Sequence, residues 1–81
     1  MGDVDASDTD LKYIKVMAEH PDPVFSAPEI ADMVDVTQQA AYDRLSSMHE
    51  RGLVSKKMVG ARAAVWWLST DGIEAYKESE T

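Results

Sequence analysis

The chain has no cysteine, which removes disulfides, thiolate zinc sites and cysteine nucleophiles from consideration. Its only histidines, His20 and His49, are far apart and lack acidic neighbours at metal-ligand spacing. Neither a glycine-rich phosphate loop nor a nucleophile elbow is present. No apolar run approaches the roughly 18 residues of a membrane span, and the acidic N-terminus does not read as a secretory signal. Its 81 residues suffice for one modest core without a separate sensor module. The expectation is a soluble, cytoplasmic, non-enzymatic domain, with no metal, cofactor or small-molecule ligand evident.

Basic residues are also scarce: 8 Lys and Arg face 15 Asp and Glu, for a net charge of −7. Taken alone, this argues against a nucleic-acid partner, because phosphates repel acidic surfaces. The distribution reverses that conclusion. Residues 37–69 carry +3, against −4 over 1–10, −3 over 11–36 and −3 over 70–81. The acidity of the remainder suggests a salt-loving cytoplasm. In molar salt the Debye length is about 3 Å, so distant carboxylates barely repel DNA and close contacts decide.

What the positive segment contains is more specific. Ser26 to Val54, SAPEIADMVDVTQQAAYDRLSSMHERGLV, reads as helix, tight turn, helix and exit into a strand. Ser26 is an N-cap with Glu29 at N3, a capping box, and Pro28 suits the first turn. Ile30, Ala31 and Val34 point inward, and Asp35 takes the turn. Thr37 caps the next helix, whose buried stripe is Ala41, Leu45 and Met48. Gly52 closes it in the left-handed conformation, and Leu53 returns to the core.

That stripe leaves Gln39, Asp43 and Ser46 outward, with Gln38, Tyr42 and Ser47 on the flanks. Gln pairs with adenine in a bidentate way, and Tyr or Ser holds phosphates. Arg44 lies nearer the core edge, within reach of a phosphate or an acidic neighbour. Asp43 either accepts from a cytosine amino group or orients Arg44 or Arg51. Strands over 54–59 and 63–68 follow, joined through Gly60-Ala61-Arg62, with Arg62 aimed at a narrow minor groove. Lys56 and Lys57 alternate in direction, so only one faces the same phosphates. The bland alternative is a solvated helix face and a hairpin whose charges merely blunt its edges.

The flanks complete the fold expectation. Residues 1–7 read as a disordered acidic tail, and residues 8–81 as the domain. Ser7 or Asp8 caps a first helix to about Glu19, with Leu11, Ile14, Met17 and Ala18 on its core stripe. Tyr13 and Val16 then lie off the stripe, available to a second copy. His20-Pro21-Asp22-Pro23 stops the helix, and Val24-Phe25 makes a short first strand. Trp66 faces the core with Leu68, leaving Trp67 on the other side. Thr70 caps a last helix to about Glu78, with Ile73 and Tyr76 directed to the core or to a partner. A homodimer through the first and last helices is the expected assembly, since palindromic sites and two-fold symmetry go together.

The strings TQQAAYDRLSSMHERGLV and KKMVGARAAVWWLSTDG resemble winged helix-turn-helix transcriptional regulators of halophilic archaea. VGARAAVWW is the most similar segment, and the helix-turn-helix resembles the wider family of MarR-type and ArsR-type repressors. The resemblance spans roughly residues 9–77. It implies an α+β winged helix-turn-helix fold: a three-helix core, a β-hairpin wing and a C-terminal helix. It also implies a regulator of transcription, most simply a repressor, contacting double-stranded DNA through Gln38, Gln39, Tyr42, Asp43 and Arg62. A protein-binding adaptor built on the same fold is the alternative.

Overall fold

Among the described residues, each of the four helices starts at a hydroxyl that accepts a hydrogen bond from a free backbone N–H of the first turn, as helix N-termini require. The computed structural model describes residues 6–61 and 63–80. Its elements are α1 (Asp8–Glu19), β1 (Phe25–Ser26), α2 (Ala27–Val34), α3 (Gln38–Glu50), β2 (Val54–Met58), β3 (Ala64–Leu68) and α4 (Thr70–Ser79). The three strands form one antiparallel sheet in the order β1-β3-β2. Residues 1–5 of the expected tail lie outside the described residues; Ala6 packs against the core and Ser7 is the cap of α1.

The expected caps of α2 and α3 are present. Ser26 and Glu29 bond reciprocally, and Thr37 Oγ1 accepts from the Ala40 N–H at 3.1 Å. Between these helices Asp35 adopts φ 60°, a left-handed conformation that Asp tolerates better than branched residues do. Gly52, at φ 82°, ends α3 and lets the Leu53 N–H reach back to the Met48 carbonyl at 2.9 Å. Ile30, Ala31, Val34, Ala41, Leu45, Met48, Leu53 and Trp66 are all buried, as expected from their spacing.

Three expectations need correction, and one left open is decided. The last helix is capped by Ser69 rather than Thr70, because the Ser69 hydroxyl both accepts from the Gly72 N–H and donates to the Gly52 carbonyl. On α1 the inward stripe is Asp10, Tyr13, Ile14 and Met17; Ala18 is exposed and Leu11 only partly buried. Tyr13, 3% exposed, is therefore no surface for a second copy. On α4, Gly72 and Ala75 face inward, leaving Ile73 exposed and Tyr76 half-buried.

Gly72 explains the last point. A Cβ placed there would collide with the Leu53 carbonyl oxygen and stand 3.1 Å from Leu68 Cδ2. The helix reaches the turn after α3 only because that side chain is missing. Gly72→Ala is expected to lower stability by about 2 kcal/mol. Overpacking against an immobile backbone atom outweighs the ~1 kcal/mol gain in helix propensity. Thermal melts of the two proteins measure it.

Candidate nucleic-acid interface

Helix α3 buries Ala41, Leu45 and Met48, so its remaining face looks out between two flanks. One flank meets β2 and β3, and the other meets α1. Thr37, Gln38, Gln39, Tyr42 and Asp43 are exposed; Ser46 and Ser47 are half-buried.

At the centre of the face, Gln39 Nε2 donates to Asp43 Oδ1 at 2.9 Å, one helical turn away. A carboxylate only accepts, so this contact also fixes which way the Gln39 amide points. The other amide hydrogen and the carbonyl oxygen of Gln39 stay available, the pair needed to engage an adenine edge. Of the two roles expected for Asp43, orienting Arg44 or Arg51 gives way to orienting Gln39.

Toward the sheet, Tyr42 is 42% exposed and stands edge-on to Trp66, with centroids 5.7 Å apart at 80°. Lys56, paired across the strands with Trp66, places its Nζ 5.1 Å from the Trp66 ring centroid and 5.5 Å from that of Tyr42. This answers the question of the two lysines. Lys56 faces α3, whereas Lys57 points to the other side of the ribbon and is exposed. A groove of about 510 Å³ runs between wing and helices, lined by Ser26, Pro28, Tyr42, Met58, Ala63 and Trp66. The ribbon is closed by the Val59 N–H donating to the Ala63 carbonyl at 2.9 Å. Arg62, the remaining expected wing contact, lies outside the described residues.

Toward α1 lies an arrangement that the sequence did not reveal. Asp10 is fully buried and accepts from two arginines, Arg44 at the middle of α3 and Arg51 at its C-cap. Arg44 Nη1 donates to Oδ1 at 3.1 Å, and Arg51 donates through Nη2 to Oδ1 at 2.9 Å and through Nη1 to Oδ2. The Ser7 N–H adds a bond to Oδ2 at 3.0 Å. Burial pushes the Asp10 carboxyl upward, but the Arg51 and Ser7 hydrogen bonds outweigh it and hold the group well below the usual carboxylate range. Of the two roles open to Arg44, the acidic neighbour is the one it takes. The available signal was the i, i+3, i+4, i+7 spacing of Asp10 with Tyr13, Ile14 and Met17; the arginine partners, 34 and 41 residues away, leave no local trace.

Among the described residues there is no group of three or more His, Asp or Glu side chains placed to hold a metal ion. Nor is any helix among them long and apolar enough to cross a membrane.

No protein-family model matches the chain, and no curated protein matches it significantly. Solved structures do. Bordetella bronchiseptica BpsR, whose DNA binding is regulated by 6-hydroxynicotinic acid, superposes with a TM-score of 0.82 at 14% identity, over 96% of this chain and 59% of BpsR. A point mutant of S. aureus MepR gives 0.78 at 15% identity, over 90% of this chain and 54% of MepR. A point mutant of Lactococcus lactis ZitR, solved in complex with DNA, gives 0.77 at 20%, over 96% of this chain and 53% of ZitR. ZitR is a zinc-responsive MarR family member. The chain thus spans a little over half the length of each. Identities this low speak for the shared architecture alone, and the architecture is a winged helix-turn-helix.

Proposed function

We propose that the chain is a double-stranded DNA-binding transcriptional regulator, with α3 entering the major groove and the β2–β3 wing following the adjacent backbone. The observation that carries the reading is the composition of α3's uncovered face. A pre-oriented Gln39 amide stands one turn from Tyr42, and the Lys56 ammonium is held beside Tyr42 by two aromatic rings. Base reader, rigid phosphate neighbour and cation lie together on one side of the molecule. Ring contacts of this kind keep Lys56 in place without consuming its charge on a carboxylate. The DNA-complexed ZitR chain, of the same fold, supports the reading.

The roles divide by chemistry. Gln39 reads a base, with Asp43 as its orienting partner. Thr37, Gln38, Tyr42 and Ser46 position the backbone, while Lys56 and Arg62 supply charge. Lys57 projects away from α3 and contributes long-range field only. Arg44 is committed to Asp10 and sets the seat of α3 rather than touching a phosphate. Repression follows most simply from occupying a promoter. The acidic body suits a halophile's cytoplasm, where such short-range contacts outlast screening.

Binding to duplex DNA of random and genomic sequence across a potassium chloride series tests the proposal. Gln39→Ala is expected to relax preference at one base pair by about 1–3 kcal/mol. Lys56→Ala and Arg62→Ala should each weaken all sequences alike, by roughly 1 kcal/mol, and flatten the salt dependence. Equal losses on every sequence for Gln39→Ala would remove it as a base reader. No duplex binding at any salt would favour the protein-binding adaptor.

A further inference from the structure

A second groove, of about 500 Å³, lies where the end of α1, the turn after it, the end of β3 and α4 meet. Met17, Phe25, Trp67, Leu68, Ile73 and Tyr76 form its apolar lining, and no residue of α2, α3 or β2 contributes. It is therefore separate from the nucleic-acid face. Ile73 is 43% exposed on a helix whose buried positions are Gly72 and Ala75. Trp67 is only half-covered. An isolated surface Ile needs no explanation, but an Ile, a Trp and a Tyr lining one groove form a contiguous apolar patch.

The rim has a sign. Asp22 stands at the turn with its side chain 60% exposed. Glu19 accepts from the Tyr76 hydroxyl at 3.0 Å. Tyr76 lines the groove, so this bond sets the Glu19 carboxylate at its edge. Lys77 is the one lysine or arginine among the lining residues, and His20 lies on the same edge as Asp22.

We infer that this groove docks a segment of a partner protein that presents apolar anchor side chains flanked by Lys or Arg. Burial of Ile73 and Trp67 supplies the attraction, and the carboxylates select the flanks. A second copy is the poorer occupant. It would bring the same Asp22 and Glu19 carboxylates against that edge. At high salt distant repulsion fades, but rim contacts of a few ångströms retain their sign preference. The inference does not depend on the proposed DNA contacts.

A display library of random peptides, panned on the whole chain in molar potassium chloride and counter-selected on Ile73→Asp, tests it. Enriched peptides should combine Trp, Phe, Leu or Ile with Lys or Arg. Synthetic versions should shift the Trp67 indole NMR signal. Their binding should weaken at least tenfold in Ile73→Asp and several-fold in Asp22→Lys, while duplex-DNA affinity stays unchanged in both. Both sites are exposed, and amide spectra verify that each variant is folded. Acidic or unrelated enriched sequences, or equal binding to Ile73→Asp, would overturn the inference. So would a concentration-dependent dimer in sedimentation that dilution dissociates with the same Trp67 shift, since a second copy would then be the occupant.

Discussion

Trp66→Ala is expected to cost about 3–5 kcal/mol, the range for truncating a buried aromatic residue, and to be the most damaging single core change. Trp66 is 0% exposed in the central strand of the sheet. It pairs with Phe25 on one side and Lys56 on the other, and its ring is met edge-on by Tyr42 and His49. A domain this small commonly has only about 5–15 kcal/mol in total, so much of the stability rests on one ring. Urea unfolding followed by circular dichroism measures the loss. Trp66→Phe separates packing from polarity. The indole Nε1 is buried with no hydrogen-bond partner among the described residues, so removing it leaves no orphaned acceptor there, and the cost should stay near 1–2 kcal/mol. A Trp66→Phe protein as unstable as Trp66→Ala would show that the ring's shape, rather than its burial, holds the sheet. In molecules still folded, Trp66→Ala should also weaken the proposed DNA binding, because Tyr42 and Lys56 lose the surface that orients them.

Asp10→Ala should cost about 2–4 kcal/mol. Removing one partner of a buried ion pair costs ~3–5 kcal/mol where the orphaned charge stays buried, and less where water reaches it. Arg44 and Arg51 each keep 35% side-chain exposure, which favours the lower part of that range. The cap of α1 weakens as well, since Asp10 returns a bond to the Ser7 N–H. The pH dependence distinguishes this site from simple packing. The carboxyl binds its proton at lower pH in the folded chain than in the unfolded one, whose Asp pKa is about 3.9. Its contribution is therefore complete above about pH 5 and is lost progressively as pH falls below ~4 toward the folded value. Asp10→Asn, of nearly the same size but without the charge, should flatten that acid limb. An unchanged limb in Asp10→Asn would show that other carboxylates govern acid unfolding.

Much of the molecule was legible from local chemistry. The capping box of α2, the proline stop, the αL glycine and the apolar periods all concern neighbours within one turn or one strand pair, where a short segment's own energetics dominate. Hence α2, α3, the inward stripe Ala41-Leu45-Met48 and the division of Trp66 from Trp67 were read without coordinates. Errors arose where two distant segments compete for the same space. Tyr13 looked superficial because Leu11 and Ala18 made an equally good apolar stripe; packing chose the rotation that buries Asp10 against α3's arginines. For Ile73 the sequence leaves core and partner both open; α4 approaches Leu53 so closely that only a glycine fits there, which turns Ile73 outward.

The candidate site divides the same way. The outward-facing α3 positions follow from period and caps. Which lysine accompanies them, what holds Gln39 and where Arg44 goes depended on strand register and helix docking.

By itself the sequence determined the element order, the caps of α2 and α3, the turns, the buried side of α2 and α3 and the one net-positive segment, because bonds within a turn and the 3.6- and 2-residue periods are local. Tertiary structure alone decided the rotation of α1, the approach of α4, the Asp10–Arg44–Arg51 cluster and the seat of Lys56 over its two rings. Those contacts join residues up to 41 positions apart, and their energies appear only when the desolvated surfaces meet.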